Sequence, residues 1–197
     1  MNRLIIGIAG KKRSGKDTAA KFLADSYGFT QVSFAKPIKQ HLYILNPWVK
    51  SNDGFTTIRY QAIIDSIGED RAKEEYREIR RLQQVYGTEV IRDEFGSNAW
   101  IDLAFKRIEE KKLEKVVISD VRFPNEVTAI LQKPFSYLIK IKSDRVKSLD
   151  KHASEQDLPD DYFNVLIDNN GTIEEFLEKI KTSYESFSQI LGQKIGN

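Results

Sequence analysis

A glycine-rich loop follows the first apolar run of the chain, which spans residues 4–9. A helical pattern begins directly after the loop. In that context a loop turns successive backbone N–H groups toward one concavity at the positive end of a helix, and its lysine reaches the β- and γ-phosphoryl oxygens of a nucleotide. The sequence therefore predicts a nucleoside triphosphate site at Gly10-Lys11-Lys12-Arg13-Ser14-Gly15-Lys16-Asp17-Thr18.

The residues after the loop lysine depart from the general pattern G-x-x-x-x-G-K-[ST]. Asp17 stands where that pattern has a hydroxyl, and Thr18 follows one residue later, which resembles the G-K-x-T form of small nucleotide kinases. We expect Thr18 beside the triphosphate or its magnesium ion, and Asp17 orienting metal-bound water. For each loop cation, phosphate contact and a solvated basic turn are both open. The predicted nucleotide-binding residues are Gly10, Arg13, Ser14, Gly15, Lys16, Asp17 and Thr18.

A second polar group lies in the segment from Arg80 to Thr88. Arg80 and Arg81 precede a Gly-Thr step by one to two helical turns, and guanidinium forks suit a phosphate. Gln84 can donate to and accept from a base edge, and Gly87 allows close approach. A solvated basic helix face is the alternative interpretation, and the spacing alone favours it.

An apolar strand pattern ends in an acid at Asp120. At the carboxyl edge of a sheet such an aspartate can hold Mg²⁺, directly or through water, or accept a hydrogen bond from a substrate hydroxyl. The alternative is that it caps the turn before Pro124. Arg122 could pair with Asp120 or reach a phosphate.

Three aromatic or imidazole side chains have less decided roles. Trp100 could stack on a base or fill the core beside Ile101, and core packing is favoured. His152 begins a short polar run that is either a lid contact or a capping turn. We expect His41 to be structural.

Five short apolar runs predict strands, and helical patterns alternate with them. The strands are predicted at 4–9, 31–34, 116–119, 137–141 and 164–167, and the helices at 17–26, 37–45, 79–95, 98–112, 125–132 and 172–190. This order predicts a three-layer α/β fold with a mainly parallel sheet of about five strands, and ligands beyond the carboxyl ends of the strands.

The length of 197 residues favours a single domain. Two long polar segments interrupt the alternation, and such connections usually serve as lids or binding insertions. We expect a substrate-binding insertion at about 46–100 and a lid-like insertion at about 142–161.

The composition excludes several partners. Lysine plus arginine total 31 against 29 acidic residues, so no charge asymmetry indicates polymeric nucleic acid or an anionic membrane. There is no cysteine for disulfides or thiolate metal sites. No apolar run approaches the length of a membrane span, and no leader pattern opens the chain. We expect a soluble, cytoplasmic protein with a small-molecule partner.

These pieces together resemble the bacteriophage deoxynucleoside monophosphate kinases, and they run in order through nearly the whole chain. The resembling segments are 12–18, 35–39, 82–88 with Phe95 and Trp100, 117–126, 152–155 and 169–175. The resemblance implies an adenylate-kinase-like P-loop core and the transfer of the γ-phosphoryl group of ATP, with Mg²⁺, to a deoxynucleoside monophosphate. Members of the family can be homodimers, and a phage-encoded enzyme works in the host cytoplasm.

Residue roles follow from the resemblance by position. Arg80 and Arg81 would clamp the acceptor phosphate, and Asp120 would help to place the deoxynucleotide or the metal. The implied catalytic residues are Lys16, Arg81 and Asp120. The implied substrate-binding residues are Lys36, Arg80, Arg81, Gln84, Gly87, Thr88, Trp100, Asp120 and Arg122.

The match has two departures. Residues 46–78 match poorly, which leaves the accepted bases open. Lys142-Ser143 stands where an arginine-proline pair is expected, and lysine cannot make the planar fork of arginine. Arg145 is the candidate substitute for that lid cation.

Two other functions stay open at this point. The first is a kinase of another small acceptor, such as dephospho-coenzyme A, although no acid lies near the second strand to deprotonate a ribose hydroxyl. The second is a nucleotide-dependent regulatory protein, since Asp65-Ser66-Ile67-Gly68 matches the switch pattern D-x-x-G, although no N-K-x-D motif follows.

Overall fold

The structure is a computed structural model that describes residues 3–145 and 157–195. In that part of the chain seven strands occur: β1 (Leu4–Gly10), β2 (Thr30–Val32), β3 (Trp48–Lys50), β4 (Thr57–Arg59), β5 (Lys115–Val121), β6 (Phe135–Lys142) and β7 (Val165–Asp168). The α-helices are α1 (Lys16–Tyr27), α2 (Lys36–Leu45), α3 (Tyr60–Glu75), α4 (Arg77–Gln84), α5 (Ile91–Phe95), α6 (Ala99–Glu110), α7 (Pro124–Leu131) and α8 (Ile173–Ile195). A π-helical turn, Val85–Val90, joins α4 to α5.

The chain divides into two compact units. We call Met1–Phe34 with Leu103–Asn197 the sheet unit, and Ala35–Asp102 the helical unit.

The sheet unit contains a parallel sheet of five strands in the order β2-β5-β1-β6-β7. β1 is the middle strand of this sheet, and its side chains are buried on both faces. Ile6 and Ile8 pack in one cluster with side chains of α1 and α8. Ile130 of α7 lies on the opposite face, against Gly7. Since successive side chains of a strand point to opposite faces, helices cover both sides of the sheet. The predicted five strands, parallel sheet and three layers are confirmed.

The helical unit has a core of its own, made of Leu42, Val49, Tyr60, Ile63, Ala72 and Ile79. β3 and β4 form an antiparallel hairpin, and α3 follows it with a break at Gly68, where φ is 76°. These three elements occupy the segment for which the sequence predicted only a long insertion. Whether 46–100 binds substrate stays a prediction.

Part of the predicted lid falls outside the described residues. Residues 146–156, which include the run that begins at His152, are not described. The described ends of the predicted lid, 142–145 and 157–161, contain the last residue of β6 and the start of a short 3₁₀ turn, Asp160–Tyr162. None of the helices in the described ranges is long and apolar enough to cross a membrane.

One lysine of the helical unit has a strongly altered acidity. Burial and the neighbouring ammonium of Lys39 lower the pKa of Lys73 to about 8, and the nearby Glu69 offsets only part of this effect. Lys39 also lies 3.7 Å from Glu69 in an ion pair. The folded helical unit therefore carries a lysine that loses its proton more easily than the same lysine in the unfolded chain, where its pKa has the ordinary value of 10.5.

Substitution of Lys73 by Met should change how stability depends on pH. Between about pH 8 and pH 10 the unfolded chain holds a proton at Lys73 that the folded chain has lost, so the free energy of unfolding of the wild type should rise with pH across this window. Lys73→Met should flatten that rise, as measured by urea unfolding at both ends of the window. Lys21→Met, at a side chain 72% exposed on α1, is the control and should keep the wild-type slope. An unchanged slope in Lys73→Met would contradict the assignment.

Candidate functional site

The loop between β1 and α1 has a backbone that L side chains rarely adopt. Gly10, Arg13 and Gly15 have φ of 145°, 65° and 104°. A Cβ at Gly10 would overlap the carbonyl oxygen of Ile141 and lie 2.7 Å from the Ser14 Oγ. A Cβ at Gly15 would lie 2.6 Å from the Asn169 Nδ2. Both loop glycines are therefore required by the backbone angle and by the close packing of the loop.

The helix that follows begins without a side-chain cap. Its N-cap residue is Gly15, which makes no side-chain cap hydrogen bond to the start of α1. An α-helix does not use the N–H groups of its first turn internally, and the helix dipole places partial positive charge there. The start of α1 is therefore suited to hold an anion, as the sequence predicts.

Lys16 and Ser14 lie inside the loop. Lys16 is 9% exposed, and its Nζ donates to the carbonyl oxygen of Lys11 at 2.7 Å. The Ser14 Oγ is buried and has no hydrogen-bond partner among the described residues. A buried hydroxyl without a partner is costly. The loop thus holds an ammonium and an unsatisfied hydroxyl, both of which fit the oxygens of a bound phosphate chain.

Asn169 fixes the loop from the end of β7. Its Nδ2 donates to the carbonyl oxygen of Ser14 at 2.9 Å, and its backbone N–H donates to Lys142 at 2.8 Å. Sequence reasoning noticed Asn169 only as part of the family resemblance. Its position directly after the last strand of the sheet was the available signal, because the ends of parallel strands meet at one edge.

Asp17 and Asp120 lie near the carboxyl end of β5. The Asp17 side chain is exposed and its Oδ1 accepts from the Ser119 Oγ at 3.1 Å. Asp120 accepts from the Ser33 Oγ at 2.8 Å and from the backbone N–H of Phe34 at 3.0 Å. Asp120 thereby fixes the chain that leaves β2. Ser33 and Ser119 were not predicted to belong to the site.

The turn before Pro124 is capped by a different acid. Glu126 is 2% exposed and accepts from the backbone N–H groups of Arg122 and Phe123, at 2.7 and 3.1 Å. The capping role that the sequence left open for Asp120 is thus carried by Glu126. Its signal was the acid two residues after Pro124, at the third position of α7.

Both candidate lid cations have partners within the sheet unit. Lys142 forms an ion pair with Asp160. The Arg145 guanidinium donates to the carbonyl oxygens of Asn170 and Gly171. Which of the two contacts a ligand stays a prediction.

Lys140 ties the segment after the undescribed residues to β6. Its buried ammonium pairs with Asp157 at 2.9 Å and Asp160 at 2.8 Å. Burial lowers the pKa of Lys140, but the hydrogen bonds and charges of these two acids outweigh burial and raise it above the ordinary value. This ion cluster anchors the described base of the predicted lid.

In the helical unit, the predicted phosphate clamp has a carboxylate partner. Arg81 on α4 donates through Nε and Nη2 to the two carboxylate oxygens of Glu78, at 2.8 and 2.7 Å. The Arg81 side chain is 59% exposed. Arg80, Gln84 and Thr88 are half-buried, and Lys36 is exposed.

Two other predicted substrate residues are buried in the helical unit. Trp100 is 3% exposed, and its Nε1 donates to the carbonyl oxygen of Gly87 at 2.8 Å. A Cβ at Gly87 would lie 2.6 Å from the Ile38 Cδ1. Trp100 therefore packs in the core, as one of the two interpretations of the sequence expected, and whether it also contacts a base stays a prediction. Gly87 does allow a close approach, and the group that approaches it in this structure is the Ile38 side chain.

The D-x-x-G sequence does not form a switch-like loop here. Asp65 lies within α3 and accepts from the Tyr43 hydroxyl at 2.8 Å. Gly68 is the break inside the same helix.

The sequence profile of the deoxynucleotide monophosphate kinase family matches residues 4–74 and 45–180. The chain belongs to this family. It is 32% identical to a protein of Acanthamoeba polyphaga mimivirus with a provisional deoxynucleotide monophosphate kinase description, over 95% of this chain and 99% of the relative. It is 24% identical to the deoxynucleotide monophosphate kinase of Escherichia phage RB69, over 90% and 98%. The suspected family is confirmed.

Solved structures agree with the predicted fold. A gluconokinase from Sinorhizobium meliloti 1021 superposes with a TM-score of 0.51 at 12% identity, over 98% of this chain and 97% of that protein. At this identity the likeness concerns the fold alone. It agrees with the α/β fold and mainly parallel sheet of this member of the deoxynucleotide monophosphate kinase family.

Gly15→Ala should abolish nucleotide binding, and Gly28→Ala should not. Both glycines have positive φ, so each alanine costs about 1–2 kcal/mol for its backbone angle. A Cβ at Gly28 has no neighbour within 4 Å, whereas one at Gly15 meets Asn169 and the Phe176 ring. Calorimetric titration with a non-hydrolysable ATP analogue measures the difference. Equal affinities for the two variants would show that the tight packing of the loop is not needed for binding.

Proposed function

We propose that the protein transfers the γ-phosphoryl group of ATP to the phosphate of a deoxynucleoside monophosphate, giving ADP and the deoxynucleoside diphosphate. The observation that carries the proposal is the buried Lys16 in a loop whose two glycines have no room for a side chain. Family membership and the descriptions of the relatives from mimivirus and phage RB69 support the acceptor.

The chemistry needs positioning and charge neutralisation more than it needs a base. A phosphate monoester is largely ionised at neutral pH, so its attacking oxygen requires little deprotonation. Most of the rate then comes from aligning two anionic groups and neutralising their charge. In this proposal Lys16 and the first turn of α1 hold the β- and γ-phosphoryl oxygens, and Asn169 keeps the loop in shape.

Asp17 and Thr18 are the proposed residues for a magnesium site. Mg²⁺ prefers oxygen ligands and keeps several waters, so one or two side chains together with phosphate oxygens are enough. Asp17 and Thr18 are both exposed at the start of α1, and Ser119 holds one oxygen of the Asp17 carboxylate. Bound Mg²⁺ would neutralise charge on the phosphates.

Arg80 and Arg81 are the proposed clamp for the acceptor phosphate. The Glu78 carboxylate offers Arg81 two acceptor oxygens, and a phosphate can offer two in a similar arrangement. The acceptor phosphate would therefore replace Glu78 in this two-point contact. Gln84 and Thr88 are the proposed contacts of the base and sugar, and Lys36, Asp120 and Arg122 are further candidates. A homodimer stays a prediction from the family.

Arg81→Ala should selectively impair the use of the acceptor. Loss of a charged two-point contact should lower kcat/KM for the deoxynucleotide by about 10- to 100-fold, with the KM for ATP unchanged. Steady-state ADP release at varied concentrations of each substrate measures this. Arg71→Ala is the matched control, because Arg71 makes a similar pair with Glu75, at 2.7 Å, on α3, where the Arg71 side chain is 68% exposed. If both variants behaved alike, the clamp assignment would be wrong.

A further inference from the structure

The π-helical turn Val85–Val90 is an unusual element in the helical unit. Such turns are rare, occur mostly as single insertions within α-helices and are frequent at functional positions. Gln84 precedes this turn, and Thr88 lies within it. A π turn rotates the residues that follow it relative to a continuous α-helix. The interactions that hold this turn therefore set where Gln84 and Thr88 lie relative to each other.

A side chain from α6 supplies a donor to this turn. In an α-helix the backbone N–H of Ile91 would donate to the carbonyl oxygen of Gly87, four residues earlier. Here the Ile91 N–H donates to the carbonyl oxygen of Tyr86, five residues earlier. The Trp100 Nε1 donates to the Gly87 carbonyl oxygen at 2.8 Å. The indole thus takes the place that the α-helical donor would occupy.

Packing against α2 holds the same turn from another side. Gly87 is buried against Ile38, with no room for a methyl group. The Tyr86 hydroxyl and the His41 Nδ1 lie 3.1 Å apart. The rings of His41, Tyr86 and Trp100 contact one another, with centroids 5.7 to 6.2 Å apart. His41, expected to be structural, is a member of this cluster.

We propose that Trp100 is a positioning residue, which holds the turn Val85–Val90 in π-helical register and thereby sets Gln84 and Thr88 for the deoxynucleotide. The inference rests on the proposed function. The role differs from the base contact that the family resemblance implied, because the Trp100 ring is 3% exposed and its N–H donates to the Gly87 carbonyl oxygen. Removal of the indole N–H leaves Gly87 without this donor and allows Ile91 to bond in α-helical register.

Trp100→Phe tests the hydrogen bond while keeping an aromatic ring in the core. The expected result is a KM for the deoxynucleotide raised about fivefold to tenfold, which is the effect of one buried hydrogen bond, with the KM for ATP unchanged. Trp48→Phe is the matched control, because Trp48 is the other tryptophan of the chain and is 57% exposed on β3. It should leave both KM values unchanged.

A second pair of variants tests the packing without touching Trp100. Gly87→Ala should raise the KM for the deoxynucleotide, because the added methyl would lie 2.6 Å from the Ile38 Cδ1. Ile38→Val removes that atom, so the double variant should recover a KM close to that of the wild type. Recovery of the KM in the double variant would show that the two substitutions are energetically coupled. Two independent losses of stability would add instead.

The outcomes separate this inference from the proposed function. If wild-type ADP release does not depend on a deoxynucleotide, the proposed function fails and this inference fails with it. If the wild type is active, an unchanged acceptor KM in Trp100→Phe, or an equal rise in both KM values, overturns the inference alone. Should Trp100→Phe not fold, absence of recovery in the Gly87→Ala and Ile38→Val pair overturns it.

Discussion

The close packing of the loop Gly10–Gly15 is the constraint on which the candidate nucleotide site depends. Three of its residues have positive φ, and two of them are glycines with protein atoms where a Cβ would lie. The loop keeps this shape because β1 is fixed at the centre of a parallel sheet and because Asn169 binds the Ser14 carbonyl. Hydrophobic burial thus fixes the sheet, and the fixed sheet holds the polar groups of the loop in an arrangement that fits a phosphate chain.

The helical unit positions its candidate binding side chains in a different way. Its candidate binding residues lie on α4 and on a π-helical turn rather than on a strand end. Helical backbone gives little freedom to place side chains, and a π turn is one of the few ways to change their direction locally. The buried Trp100 of α6 and the half-buried Ile38 of α2 contact this turn, so the packing of the unit also positions its candidate binding residues.

The sheet and the loop could be predicted because their signals are local. Continuous apolar runs that alternate with helical patterns indicate a parallel sheet, and the motif at Gly10 has a fixed spacing. The hairpin of β3 and β4 and the helix α3 were missed, because three-residue strands and a helix broken at Gly68 give weak periodicity. Asn169 and Ser119 contact residues distant in sequence, so their places near strand ends could be predicted but their partners could not. Glu126 accepts from two nearby backbone N–H groups, and its position two residues after Pro124 was a local signal that went unused. The sequence could not show how deeply Trp100 is buried, because its bond to Gly87 depends on how α6 packs.

The central claim is that this chain moves a phosphoryl group from ATP to a deoxynucleoside monophosphate. Phosphorus NMR of the wild-type protein with ATP, Mg²⁺ and each of the four common deoxynucleoside monophosphates in turn tests it by identifying the products. The proposed reaction gives ADP and a deoxynucleoside diphosphate in equal amounts with at least one acceptor, and a folded Lys16→Ala variant should give neither product. ADP with inorganic phosphate, or a phosphorylated product only from an acceptor outside this class, would contradict it.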